Sequence, residues 1–238
     1  MPEELSQSKV PETLEEFRGS EKIVDPPRNG KIPDIPRQEW PTSGKNCLVI
    51  FTTENEDKVQ VLETNFKDNK PDDIDGCFFL QIPVADDGCS QPCNGQGYVR
   101  ARHRITQAID IFRDKYPTYP KDNHIGTIII AAIESFFERD NVPRPVDAAV
   151  VGMFNVLTGK MATATSRGVT LHPWFLEEAE RLGGFADINK GCLRITGGEM
   201  AAKKFPGVNK ADWHKDAVGK PRREFLEETI KEMEVPWA

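Results

Sequence analysis

Long apolar runs are missing from this sequence. No stretch approaches the roughly 18 apolar residues that a membrane-spanning helix requires, and the opening MPEELSQSKV has no apolar core of the signal-peptide kind. Excess positive charge is missing too. A formal charge of −7 argues against a non-specific nucleic-acid binder or a binder of anionic membranes. Neither G-x-x-x-x-G-K-S/T nor G-x-G-x-x-G occurs, so the two common glycine-rich phosphate loops are excluded. Cysteine is sparse and odd in number: Cys47, Cys77, Cys89, Cys93 and Cys192. Cys89 and Cys93 stand in C-x3-C spacing with no second pair and no nearby histidine, which is a poor zinc site. The expectation is five free, buried thiols in a reducing cytoplasmic setting.

What is present divides the chain in two. Residues 1–43 carry seven of the eighteen prolines among polar and charged residues. Proline fixes φ and removes backbone donors, and few apolar side chains here repay ordering. A largely extended tail is expected over 1–43, with a short helix at Glu12–Arg18 and with Ile23, Val24, Ile32, Ile35 and Trp40 as anchors. Residues 44–238 read as one α/β domain. Cys47–Phe51 is a short apolar run suited to a buried strand, followed by a polar turn and a helix start. Phe78–Val84 reads as a second strand. Gly97 to Tyr116 carries Ile105, Ala108, Ile109 and Phe112 at helical spacing. Thr127–Ile133 and Asp147–Leu157 are further strands, and Met161 to Val169 follows the turn Thr158-Gly159-Lys160. Pro173 opens a helix that ends at Gly183-Gly184, and Arg222–Met233 is the last. Such βα units followed by an antiparallel meander predict a mixed α/β sheet. Thr196-Gly197-Gly198 reads as a turn.

Three groups of residues carry the candidate chemistry. Thr53-x-Asn55-x-x-Lys58 lies between the first strand and the first helix, where unpaired N–H groups and the helix dipole favour anions. The bland account is a capped helix with a solvated lysine. Asp86-Asp87-Gly88 follows the second strand, and Glu134 ends the isoleucine-rich one. Carboxylates past the C-terminal ends of strands are where open α/β sheets bind ligands, and Mg²⁺ takes one or two of them together with phosphate oxygens. For Asp86-Asp87 a plain turn is the alternative, whereas a charge between Ile133 and Phe136 is costly unless it is used. Third come Arg100 and Arg104, four apart on one helix face, and Arg167 beside Ser166.

Together these segments resemble one family. Thr53-x-Asn55-x-x-Lys58 is similar to its T-x-N-P-x-K opening, with Glu56 in place of proline. Pro83-Val84-x-Asp86-x-Gly88, then Gln91-Pro92 and Gly97 leading to Arg104, resembles its second segment. Ala132-Ile133-Glu134 resembles G-I-E-G-G, Thr165-Ser166-Arg167 a T-S strand end, and Gly219-Lys220 with Arg222 a C-terminal G-x-x-x-R. The family is that of the inosine/xanthosine triphosphatases, house-cleaning phosphatases of deaminated purine nucleotides, which includes the eukaryotic proline-rich coiled-coil-protein type of domain. The resemblance runs in collinear order from about residue 46 to 235. It implies an inosine triphosphatase-like or Maf-like fold with a mixed central sheet, flanking helices and a cleft between two lobes. It further implies Mg²⁺ or Mn²⁺, often a homodimer, and hydrolysis of ITP or XTP. By position it makes Asp86 and Glu134 metal residues, with Lys58 beside them in catalysis. Thr53, Asn55, Lys58, Arg104, Ser166, Arg167 and Arg222 become substrate contacts.

Two departures matter. Ser135-Phe136 replaces the glycine pair that would let backbone approach substrate, so Phe136 is expected to fill that space. Glu54 and Glu56 place negative charge in a phosphate loop. A hydrolase and a non-hydrolytic binding module that kept the fold are therefore both readings of the sequence.

Overall fold

The computed structural model describes residues 9–27, 30–85, 88–186 and 191–238. In chain order its elements are α1 (Leu14–Ser20), β1 (Ile23–Val24), β2 (Asn46–Phe51), α2 (Glu56–Asp68), β3 (Cys77–Gln81), β4 (Gln91–Pro92), α3 (Gln96–Lys115), α4 (Tyr119–Asp122), β5 (Ile125–Glu138), β6 (Val146–Asn155), β7 (Met161–Thr165), β8 (Gly168–Thr170), α5 (Pro173–Gly183), β9 (Cys192–Leu193), α6 (Gly197–Lys204), α7 (Trp213–Val218) and α8 (Arg222–Lys231). Seven of the described strands form one mixed sheet in the order β1-β8-β6-β5-β2-β3, with β7 also paired to β6. β2 is parallel to both β3 and β5, and β5, β6 and β7 make an antiparallel meander. Helices flank this central sheet, as the sequence pattern predicts.

Strand alternation sorts the core into layers. Leu48, Ile50, Ile128 and Ile130 pack against Ala101, Ile105 and Phe112 of α3. On the other face Val49, Phe51, Ile129 and Ile133 meet Val59, Leu62 and Phe66 of α2 and Leu226 and Ile230 of α8. A strand covered on both faces has to be apolar throughout, which is why the run at 47–51 is unbroken. A second lobe has its own core, built around Phe137, Leu171, Phe175, Phe205, Trp213 and Phe225. β5 joins the two, with Ile133 in the first lobe and Phe137 in the second.

Several expectations are corrected. β5 spans 14 residues, so Glu134 lies inside the strand and not at its end. The second strand stops at Gln81, just before Pro83, which has no N–H for a ladder. The expected strand Met161–Val169 is two strands, broken where Ser166 folds onto β6: its Oγ accepts from the Ala149 N–H at 2.9 Å and its own N–H donates to the Ala149 carbonyl at 2.8 Å. Thr196-Gly197-Gly198 is no free turn but the start of α6, closed by a capping box between Thr196 and Glu199. Cys89 and Cys192, 103 positions apart in the sequence, are joined as a disulfide with Cα atoms 5.5 Å apart. Cys47, Cys77 and Cys93 are the free thiols. No described helix is long and apolar enough to cross a membrane.

The N-terminal segment is corrected as well. Its helix runs Leu14–Ser20, set by a capping box between Thr13 and Glu16. Phe17 on this helix is fully buried, with its ring centroid 5.2 Å from that of Phe205, 5.6 Å from Phe175 and 6.1 Å from Trp213. Glu21 is buried too. It accepts from Arg144 at 2.9 Å, from the Thr170 hydroxyl at 2.9 Å and from the His172 N–H at 3.1 Å. Ile32 and Ile35 belong to the first lobe's core and Trp40 packs against it, as the anchors expected of them. A segment expected to bury little therefore closes the second lobe. Phe17→Ala should destabilise the protein by about 3–5 kcal/mol, the range for a buried phenylalanine truncated to alanine. Urea unfolding measures this; a loss under about 1 kcal/mol would show that the segment is dispensable.

Candidate functional site

The first candidate residues follow from how β2 ends. Its last pair with β5 is Phe51 with Ala131, after which Thr52-Thr53-Glu54 turns the chain into α2. Thr53 Oγ1 accepts from the Asn55 N–H at 3.1 Å, and Asn55 caps α2 by accepting from the Lys58 N–H at 3.1 Å. Both side chains are thus occupied in holding the helix start. Lys58 is not a solvated lysine. Its ammonium reaches the edge of β5 that β2 has vacated and donates to the Ile133 carbonyl at 3.1 Å. Burial pulls its pKa down to about 8. Glu134 works against that shift, while Arg222 and Arg104 add to it.

Glu134 is buried on the face covered by α3. Arg104 donates from Nε to its Oε2, and Arg100 places Nε 3.8 Å from its Oε1. The four-residue spacing of these arginines brings both to one carboxylate. Arg104 also reaches the Val84 carbonyl at 3.4 Å. Phe136 does not fill the space near the cleft. It is fully buried under α3, and a side chain at Gly97 would meet its ring at 2.7 Å.

Arg222 begins α8 and donates to Asp147 of β6, from Nη2 to Oδ1 at 2.9 Å and from Nη1 to Oδ2 at 3.4 Å. His214 of α7 adds Nε2 to Oδ2 of the same carboxylate at 3.2 Å. Burial alone would raise the Asp147 carboxyl, but Arg222 and His214 outweigh it and hold its pKa below the ordinary value. Burial lowers the His214 imidazole, only partly offset by Asp147. The pair therefore stands as carboxylate and neutral imidazole, with the proton on Nε2. A cavity of about 600 Å³ opens between the lobes, lined by Asn55, Lys58, Ser135, Asp212, Arg222 and Arg223 among others. The N-termini of α2 and α8 both border it. Of the acids lining it, Asp212 accepts from the Arg222 N–H at 2.7 Å, Asp57 and Glu227 lie 3.9 Å and 2.6 Å from Arg223, and Glu224 is exposed.

Of the residues singled out in the sequence, this arrangement brings together Asn55, Lys58 and Arg222 at the cavity, with Thr53, Arg104 and Glu134 just beyond it. Ser166 is buried and engaged with β6. Arg167 lies elsewhere, 3.7 Å from Asp25 and beside a separate hollow with Thr229 of α8. Asp86 and Asp87 fall outside the described residues. No group of three histidine, cysteine, aspartate or glutamate side chains among the described residues is arranged around a metal ion. Glu134 is a single carboxylate already matched by two guanidinium groups, so the described donors do not fit a divalent cation, and a paired site rests on Asp86. Asp147 enters the sequence reading only as the start of a strand, and His214 does not enter it. The available signal was a carboxylate next to an apolar run, here at its start, whereas Glu134 was noted at the end of its own.

No family model matches the sequence, and no curated protein matches it either. Among solved structures the chain is similar to the one described as protein VC0702 from Vibrio cholerae. The TM-score is 0.53 at 12% identity, over 77% of this chain and 91% of that one. At such identity the likeness is one of fold alone, a mixed α/β architecture with a central sheet and flanking helices.

Proposed function

We propose that this chain binds the phosphates of a nucleoside triphosphate in the cavity beyond the end of β2 and hydrolyses a phosphoanhydride bond there. One observation carries the reading: the Lys58 ammonium and the Arg222 guanidinium meet at the same inter-lobe cavity, at the starts of two helices. Lys58 has three N–H donors and gives one to Ile133. Arg222 has five and gives two to Asp147, which holds the guanidinium in a fixed plane at the cavity wall. The donors that remain, with those N-terminal amides of α2 and α8 not already held by Asn55 and Asp212, suit phosphate oxygens. Fixed charges in a partly desolvated site also stabilise the charge that develops as phosphate is transferred. The preference for deaminated purines, ITP or XTP, comes from the sequence resemblance. The metal implied by that resemblance would require Asp86 beside Glu134.

The engagement of Glu134 by two arginines favours a second reading, a binding module without turnover. Release of phosphate or pyrophosphate from ITP, XTP, dITP and the common triphosphates, with Mg²⁺ in the buffer, separates the two. The hydrolase reading expects turnover that falls by about two orders of magnitude in Lys58→Met, the scale for losing one preorganised charge, at a temperature where melting curves show the variant, which loses the donor to the Ile133 carbonyl, still folded. Tight binding without turnover on any nucleotide would leave the module.

The lowered pKa of Lys58 gives a second check. Phosphate is held by the protonated form, so affinity is full below about pH 8 and falls as pH rises through that value. Calorimetric titration of triphosphate across this range should show the fall in the wild type. Lys58→Arg, which stays charged, should remove it. A flat wild-type profile would take Lys58 out of the site.

A further inference from the structure

Two of the free thiols, Cys47 and Cys77, face each other across the parallel pair β2–β3. They are direct register partners, Cys47 opposite Cys77, and both pack in the core layer under α2 and α8. Their side chains therefore leave the sheet on the same face. Neighbouring strands lie about 4.8 Å apart, inside the range of about 4.4–6.8 Å over which a disulfide bridges Cα atoms. Cys47 is completely buried, whereas Cys77 is half-buried at the start of an edge strand. We propose that Cys77 and Cys47 form a dithiol that small disulfides convert to an intramolecular disulfide, with Cys77 as the attacking thiol and Cys47 as the resolving one.

The chemistry of the pair is polarised in that sense. A hydrogen bond from Cys47 lowers the Cys77 thiol to about 7, with Lys70 contributing. Cys47 is pushed up, first by the same hydrogen bond and then by burial. The thiolate is the nucleophile, so reaction begins at the accessible cysteine. In the first step the Cys77 thiolate attacks one sulfur of glutathione disulfide. That S–S bond breaks, a Cys77–glutathione bond forms, and one glutathione thiolate leaves and takes up a proton. In the second step Cys47 loses its proton to solvent and attacks Cys77 Sγ, displacing the second glutathione as its thiol. Two protein thiols are oxidised and one glutathione disulfide is reduced to two thiols. The pair lies at the opposite end of β2 from Lys58, so the bond ties β2 to β3 without touching the cavity.

The test is incubation of the whole protein with glutathione disulfide, then alkylation under denaturing conditions and peptide mass mapping. The wild type should lose alkylation at Cys47 and Cys77 together and yield one joined peptide, while Cys93 stays alkylatable. Cys47→Ala should stop at glutathione held on Cys77. Cys77→Ser should leave Cys47 unmodified, with melting curves to confirm that both variants are folded. Glutathione persisting on Cys77 in the wild type with Cys47 still free, or no loss at either cysteine, would overturn the proposal.

Discussion

β5 outruns its parallel neighbour β2, and the backbone on its uncovered edge has to be satisfied by something other than a strand. β2 has six residues and β5 fourteen, so the ladder ends at Ala131 while β5 continues into the second lobe. Buried carbonyls left without a donor are costly. Ile133 meets the Lys58 ammonium at 3.1 Å, and Phe137 accepts from the Asn94 N–H at 2.7 Å. Ser135, between them, lines the cavity. The candidate site is the gap between those two repairs. Lys58 is drawn inward by a backbone need, and its position at the first turn of α2 puts a cation where the helix already favours anions.

The opposite wall depends on a second buried carboxylate. Asp147 is inaccessible, and a buried charge persists only when it is paired and hydrogen-bonded. Arg222 and His214 supply that pairing and in doing so fix the start of α8 against the sheet. Support for this arrangement comes from far along the chain. His214 stacks on Trp213 at 4.3 Å, and Trp213 lies in the aromatic cluster of Phe17. The N-terminal helix thereby buttresses the element that holds the cavity's arginine in place.

The sequence was legible where one period or one composition dominates. Short apolar runs such as Ile128-Ile129-Ile130 and Leu48-Val49-Ile50 suit strands covered on both faces, and α3 declares itself through Ile105, Ala108, Ile109 and Phe112. The start of α2 was legible for a local reason, because a cap and its lysine lie within four residues. Contacts between distant residues were not. Asp147 and Arg222 are 75 positions apart, and neither the apolar strand nor the basic helix start names the other. The Cys89–Cys192 bond is hidden in the same way, since spacing alone does not select a pairing. Phe17 went unremarked because a single aromatic in a proline-rich segment gives no periodicity, although one buried ring is enough to dock a short helix. Arg167 illustrates the converse: a motif placed it in the site, and the break between β7 and β8 turns it toward Asp25.

A crystal structure with a non-hydrolysable analogue of inosine triphosphate tests the central claim most directly. Phosphate oxygens within hydrogen-bonding distance of Lys58 Nζ and Arg222, in the gap beyond Phe51, are the predicted result. Phosphates bound elsewhere, for example beside Arg167, with the Lys58 to Ile133 contact undisturbed and the inter-lobe cavity empty, would contradict it.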